Sequence, residues 1–352
     1  MKRAIIAAGG TGGHFYPGLV AALELKARGW EPLLIVRKDD PARERLEAQG
    51  LACLEVDLVG MPRGLGLGLI TFAAKLLKSL RLMSRVTRDF KPALVVGMGG
   101  YLTFPAAYGA WRRGVPVALH ESNAIVGLAN KAALWFGANI FWGLPPAEGN
   151  GKVVGTPVRP ALYGTMDAGE AKRGLGLDPA RKTVLVFGGS QGAKALNEGV
   201  PKALKTSSID AQVLHLAGKG RSEETLLAYK SAGITAIILD YLEDMAAAYA
   251  AADVVVCRSG ASTLAELAAQ RKTAVLVPYP HAAADHQDAN ARVFERLGTA
   301  RRIPETDLSD ALGPALADML KSATAAKFGT LGLPPAERTT ALFVDELERL
   351  VL

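Results

Sequence analysis

Residues 252–266 read Ala252-Asp253-Val254-Val255-Val256-Cys257-Arg258-Ser259-Gly260-Ala261-Ser262-Thr263-Leu264-Ala265-Glu266. The β-branched run 254–256 predicts a buried strand, and Ser259, Gly260 and Ser262 then turn the chain into an alanine- and leucine-rich helix. The first turn of such a helix has backbone N–H groups without intrahelical partners and the positive end of the dipole, so it suits an anion, phosphate above all. Glu266 lies far enough along the helix to reach a sugar hydroxyl. The plainer reading is an ordinary strand-to-helix turn capped by serines. The stretch alone does not separate the two; the rest of the chain does.

The same order of strand, glycine-rich turn and helix recurs. Residues 4–8 run into Gly9-Gly10-Thr11-Gly12-Gly13-His14 and a helix expected over 17–28; residues 183–187 run into Gly188-Gly189-Ser190-Gln191-Gly192-Ala193 and a helix over 194–203. Residues 94–96 end in Gly97-Met98-Gly99-Gly100-Tyr101, and residues 115–119 end in His120-Glu121-Ser122-Asn123. Further strands are expected at 33–36, 51–56, 213–216, 234–239 and 274–277. Between them, Gly, Pro and Asn at 143–151 and the turn Gly155-Thr156-Pro157-Val158-Arg159-Pro160 mark a hinge. Two α/β halves, each opening with strand, glycine loop and helix, predict two doubly wound Rossmann-like domains facing each other across a cleft. The expected divisions are 1–157 and 158–334, with a final helix at 335–352 that crosses back to the first domain.

Ligands of open α/β sheets bind beyond the carboxyl ends of the strands. Three strands therefore bring His14, the 99–101 loop and the 120–123 cluster to one rim. The first loop lacks the dinucleotide fingerprint, because counting from Gly10 the third glycine falls on Phe15. A histidine at the mouth of a glycine loop is either a polar turn residue or a general base, and the convergence favours the base. His120 and Glu121 are open to two readings, structural hydrogen-bonders or substrate contacts.

With 352 residues, 49% of them hydrophobic, the chain fills two cores of ordinary size, which excludes disordered and fibrous classes. Cys53 and Cys257 are far apart and lack metal-ligand spacing, as expected of free thiols in a reducing compartment. The apolar run after Lys2-Arg3 is too short for a signal peptide, and no stretch of about 18 apolar residues offers a membrane span. These features predict a soluble cytoplasmic protein. The net charge of +7 points to an anionic partner: a phosphate ligand, nucleic acid or acidic lipid. Between residues 63 and 91 the bases are Arg63, Lys75, Lys78, Arg81, Arg85, Arg88 and Lys91, against the single acid Asp89. On a helix reaching Phe90, Leu69, Phe72, Leu76, Leu80 and Met83 form an apolar face, expected to be core, opposite Lys78, Arg81, Arg85 and Arg88. That basic face is either merely solvated or rests on an anionic membrane surface.

Taken together, the loops at 9–14, 97–101, 120–123 and 188–193 and the run Cys257-Arg258-Ser259-Gly260-Ala261 resemble the MurG family of inverting GT-B glycosyltransferases. The resemblance covers nearly the whole chain, and five motifs in this order are far more specific than one glycine loop. It implies transfer of N-acetylglucosamine from UDP-GlcNAc to the C4 hydroxyl of MurNAc in lipid I, giving lipid II for peptidoglycan synthesis. It implies a donor site in the second domain. There Leu242 lies near uracil, Glu266 on the ribose, Ser190 and Arg159 near the phosphates, Ala261, Ser262 and Thr263 on the pyrophosphate, and Asp285 and Gln287 on the GlcNAc. It implies an acceptor site of Thr11, Gly12, Gly13, Tyr101 and Asn123, with His14 as base. Two departures are Ser122, where the family often has glutamine, and the alanines at 282–284 before Asp285. The sequence has no Asp-x-Asp, so a carboxylate-bound divalent metal is not indicated, and the resemblance implies no cofactor, UDP-GlcNAc being a substrate. The bilayer-held acceptor implies peripheral attachment to the cytoplasmic face of the bacterial inner membrane through residues of about 64–85, with no nucleic-acid partner. The rival readings are another UDP-sugar enzyme of this fold, such as a UDP-GlcNAc 2-epimerase or a glycolipid glycosyltransferase, an NADP-dependent reductase using Arg37 and Lys38, and a nucleotide-binding module without catalysis.

Overall fold

The computed structural model describes residues 1–9, 12–40, 42–62, 66–164, 166–189, 191–207, 209–321 and 333–352. Contacts divide the chain into two compact units, Met1–Arg159 with Leu333–Leu352, and Pro160–Gly332.

The first unit holds β1 (Arg3–Ala7), β2 (Glu31–Arg37), β3 (Ala52–Val56), β4 (Leu94–Gly97), β5 (Val117–Glu121), β6 (Asn139–Trp142) and β7 (Lys152–Val153). They form one parallel sheet in the order β3-β2-β1-β4-β5-β6-β7. Its connecting helices are α1 (Gly12–Ala27), α2 (Ala42–Ala48), α3 (Leu67–Phe90), α4 (Thr103–Trp111) and α5 (Leu128–Ala133). From Ala4 to Ala7 strand β1 is wholly apolar because both its faces are covered. Ala4 and Ile6 pack with Ala21, Ala22 and Leu25 of α1, while Ile5 and Ala7 pack with Met83 of α3 and Ala106 and Ala110 of α4.

The second unit repeats the scheme with β8 (Thr183–Phe187), β9 (Gln212–Leu216), β10 (Ala236–Leu239), β11 (Val254–Cys257), β12 (Ala274–Leu276) and β13 (Ala300–Arg302), again all parallel, in the order β10-β9-β8-β11-β12-β13. Its helices are α6 (Ala168–Gly174), α7 (Lys194–Lys205), α8 (Ser222–Ala232), α9 (Met245–Ala251), α10 (Ala261–Ala269), α11 (His286–Arg296) and α12 (Leu308–Lys321). In each sheet the strand order reverses at the unit's first strand, between β1 and β4 and between β8 and β11. Those are the switch points at which a crevice opens beyond the strand ends.

A last helix, α13 (Ala336–Arg349), belongs to the first unit, where Phe343, Val344 and Leu347 join the core under α1. Arg28 Nη1 bonds to Asp345 (2.6 Å) and Glu348 (2.9 Å), and Trp30 Nε1 donates to the other Glu348 oxygen at 2.9 Å.

Among the differences from the sequence reading, three bear on how the site and the surface are placed. Helix α1 starts at Gly12 rather than Pro17, so His14 stands in its first turn; Pro17 inside the helix leaves out one N–H bond to a carbonyl near the helix start, where the loss is tolerated. Strand β5 runs on to Glu121, which puts His120 and Glu121 inside the sheet. Leu69, expected in the core, is 38% exposed, and its neighbours Leu67 and Ile70 are 82% and 68% exposed. Only the later turns of α3, around Met83 and Thr87, are buried, where Gly109 of α4 comes against the Met83 carbonyl.

Candidate functional site

In the first unit, β1 leads to Gly9 and the first turn of α1, and β4 leads to the loop ending at Tyr101. Gly99 (φ 91°) and Gly100 (φ 72°) adopt the left-handed conformation that glycine alone takes at little cost. A Cβ on either would come 3.0 or 3.1 Å from the His14 ring. The half-buried imidazole thus rests on bare backbone, and Thr103 Oγ1 holds that backbone by donating to the Gly99 carbonyl at 2.9 Å. Burial raises the Tyr101 hydroxyl above the usual tyrosine range, with Arg37 opposing it. Gly12 and Gly13 lie in the first turn of α1; Thr11 falls outside the described residues.

The 120–123 cluster divides. His120 has no exposed surface; its Nε2 donates to the Gly155 carbonyl (2.9 Å), its Nδ1 accepts from the Ser122 hydroxyl (3.2 Å), and Phe343 packs on the ring. Burial lowers its pKa. Glu121 is also buried: one oxygen accepts from the backbone and side-chain amides of Asn123 (3.0 Å each), the other from Gly127 N–H (2.8 Å) and Asn130 Nδ2 (2.9 Å). Both therefore hold the segment that carries Asn123, which is itself half-buried. The Ser122 departure has a local role in that hydroxyl.

In the second unit, β11 turns through Ser259 and Gly260 into α10. Gly260 is the N-cap, without a side-chain cap, and Leu264 N–H to the Gly260 carbonyl (3.0 Å) is the first helical bond after it. The N–H groups of Ala261, Ser262 and Thr263 precede that bond, the position at which a helix start can meet an anion. Ser259 is no cap: it is buried, its hydroxyl donates to the Gln287 carbonyl (2.7 Å), and its own carbonyl accepts from Asn290 Nδ2 (3.1 Å). Gln287 Oε1 accepts from Tyr279 N–H (2.9 Å), so the NH₂ end of that amide is what Gln287 offers a ligand.

Beside this knot lies a cavity of about 400 Å³, lined by Gly188, Gly192, Ala193, Arg258, Tyr279, Gln287 and Glu305 among others. The nearly buried Arg258 guanidinium forms an ion pair with Glu305 (2.5 Å) and donates to the carbonyls of Val277 and Pro278 (3.1 Å each), 5.4 Å from the Tyr279 ring centre. The Glu266 carboxylate accepts from the Tyr249 hydroxyl at 2.9 Å. Leu242 is half-buried in the turn between β10 and α9. Ala284 (φ 51°) and Asp285 (φ 52°) are both left-handed, immediately before α11. Arg159 is the last residue of the first unit's main segment, its guanidinium 5.1 Å from the Tyr16 ring centre. Ser190 falls outside the described residues. Tyr249 and Asn290 have no signal in the sequence, since each acts through a residue in another element, Glu266 and Ser259.

Two parallel Rossmann-like sheets, each with a glycine loop and a helix start at its switch point, are the architecture of glycosyltransferases of the GT-B class. The chain belongs to glycosyltransferase family 28: residues 4–142 match that family's N-terminal domain and residues 183–329 its C-terminal domain. It is 37% identical to the UDP-N-acetylglucosamine--N-acetylmuramyl-(pentapeptide) pyrophosphoryl-undecaprenol N-acetylglucosamine transferase of Aeromonas hydrophila subsp. hydrophila, over 99% of this chain and 95% of that one. It is 38% identical to the protein of the same name from Elusimicrobium minutum, over 99% and 100%. The crystal structure of Acinetobacter baumannii MurG superposes with a TM-score of 0.81 at 29% identity, over 99% of this chain and 100% of that one. Family membership displaces the reductase reading of Arg37 and Lys38.

Proposed function

We propose that this chain transfers N-acetylglucosamine from UDP-GlcNAc to the C4 hydroxyl of MurNAc in lipid I, forming lipid II by a single inverting displacement. The observation that carries this reading is identity of 37–38% along 99% of the chain with enzymes named for that transfer. The donor belongs mainly to the second unit. Departing UDP gains charge, and the N–H groups of Ala261, Ser262 and Thr263 are fixed donors that need no reorganisation to meet it. Ser190 and Arg159 complete the phosphate contacts, and Leu242 lies at the base. Glu266, held by Tyr249, binds the ribose hydroxyls, and Asp285 with the NH₂ of Gln287 takes the sugar. The acceptor belongs to the first unit, against Thr11, Gly12, Gly13, Tyr101 and Asn123. His14 removes the proton of the attacking hydroxyl, in keeping with an imidazole seated on rigid backbone.

No divalent metal enters this scheme, a reading supported by the absence of Asp-x-Asp. Attachment is peripheral, at the cytoplasmic face of the inner membrane. Exposed Leu67 and Ile70, on the same helix face as exposed Lys78, Arg81 and Arg85 and N-terminal to them, support docking of residues of about 64–85 on anionic lipid. Among the described residues no helix is long and apolar enough to cross a membrane. The test is a transfer assay with labelled UDP-GlcNAc and a lipid I analogue, with and without EDTA. Lipid II formation at equal rates in both is expected; no transfer would refute the function, and loss with EDTA the metal-free scheme.

A further inference from the structure

The second unit buries a histidine that none of these roles uses. His215 on β9 has no exposed surface and is bonded at both ring nitrogens: Nε2 lies 3.0 Å from Asn197 Oδ1, and Nδ1 2.9 Å from the Tyr229 hydroxyl. Asn197, in the first turn of α7, donates Nδ2 to the Ala217 carbonyl at 2.9 Å. A carbonyl only accepts, so Asn197 turns its NH₂ to Ala217 and its oxygen to the ring. Nε2 therefore carries the ring hydrogen, and Nδ1 accepts from Tyr229 Oη–H. The chain of bonds ends beneath the glycine loop. A Cβ on Gly192 (φ 68°) would come 2.1 Å from the Ala217 carbonyl oxygen, and one on Gly218 (φ 94°) 2.7 Å from that of Gln191. Gly192 and Ala193 line the same cavity as Gln287.

We infer that His215 is a positioning residue for the donor site: as the Nε2–H tautomer held by Tyr229, it orients Asn197 and thereby sets the glycine loop and the start of α7 against the cavity. It touches no substrate. An apolar side chain of similar volume would keep the packing and leave Asn197 Oδ1 buried without its donor, so that the amide loses its fixed orientation. The inference rests on the proposed use of UDP-GlcNAc by this unit.

Two sets of measurements test it. In the unliganded protein, long-range ¹H–¹⁵N spectra should show His215 as the Nε2–H tautomer, and His215→Leu should speed hydrogen exchange at the Gly192 and Ala193 amides. In steady-state kinetics, His215→Leu should raise KM for UDP-GlcNAc about tenfold, the worth of one buried hydrogen bond, with KM for the lipid I analogue unchanged. His215→Gln, which returns an N–H donor near Nε2, should recover most of that loss. Tyr229→Phe keeps the ring volume and carries the kinetic test should the leucine variant fail to fold; its donor KM should rise and its acceptor KM should not. An Nδ1–H tautomer, an unchanged donor KM in folded variants, or equal defects in the Leu and Gln variants would each overturn the positioning role. Failure of the wild-type protein to use UDP-GlcNAc would instead fall on the proposed function, and the spectra and exchange rates would still decide the inference.

Discussion

Gly99 and Gly100, neighbours in the loop after β4, bring bare backbone against the half-buried His14 ring, so the ring can be removed without opening the core. His14→Ala is expected to lower turnover ~10² to 10⁴-fold while UDP binding keeps its wild-type strength; single-turnover kinetics beside a UDP titration checks both. His215 makes a different prediction, about pH. Burial holds its folded pKa down to about 3, against 6.5 for the exposed ring. Below pH 6.5 the unfolded chain takes up a proton that the native ring refuses, so stability falls as pH drops from 6.5 toward 3. Between pH 7 and pH 5 this residue alone should cost about 2 kcal/mol, a loss that His215→Gln escapes; urea unfolding at the two pH values measures it. The placement of His14 at the close of a glycine loop is legible in the sequence, because the strand before it and the helix after it are both strongly patterned. His120 and Glu121 are not legible: whether they contact a ligand or lie inside the sheet turns on where β5 stops, and strand ends carry the weakest sequence signal.

Among the elements, α3 presents two ends with different surroundings. Its later turns bury Met83 and Thr87, while its first turns leave Leu67 and Ile70 to solvent near exposed Lys78, Arg81 and Arg85. Changing those three bases to glutamate should abolish co-sedimentation with vesicles containing anionic lipid and leave transfer to a water-soluble acceptor analogue intact. The loop between β8 and α7 makes a second prediction. Gly192→Ala places a methyl group against the Ala217 carbonyl at a positive φ, so it should destabilise the second unit by roughly 1–3 kcal/mol and weaken UDP binding, both readable in one thermal-shift titration. The central strands are legible because continuous apolar runs between glycines have few other readings. Strands β7 and β13 are not: Lys152-Val153 and Ala300-Arg301-Arg302 are short and polar, and pairing at a sheet edge makes them strands, not composition. The exposed start of α3 escapes periodicity for a related reason, since an apolar stripe does not say how far its partner helix extends.

At the scale of the molecule, the repeated strand, glycine loop and helix make two similar halves visible before any coordinates. What periodicity leaves out is the company α13 keeps. Phe343, Val344 and Leu347 mark an amphipathic helix, but Phe141, His120 and Arg28, which receive it, lie some two hundred or more residues earlier. Phe343→Ala should destabilise the first unit by roughly 3–5 kcal/mol and leave UDP affinity, a property proposed for the second, unaltered; differential scanning calorimetry with and without UDP separates the two. The return of α13 also orders events on the ribosome. Residues 160–332 form a continuous stretch and complete their sheet as they emerge, whereas the first unit, begun earlier, lacks three core side chains until the final helix is made. The half translated first is therefore the last to close, and until then its sheet leaves His120 and Phe141 without the Phe343 ring that packs on them.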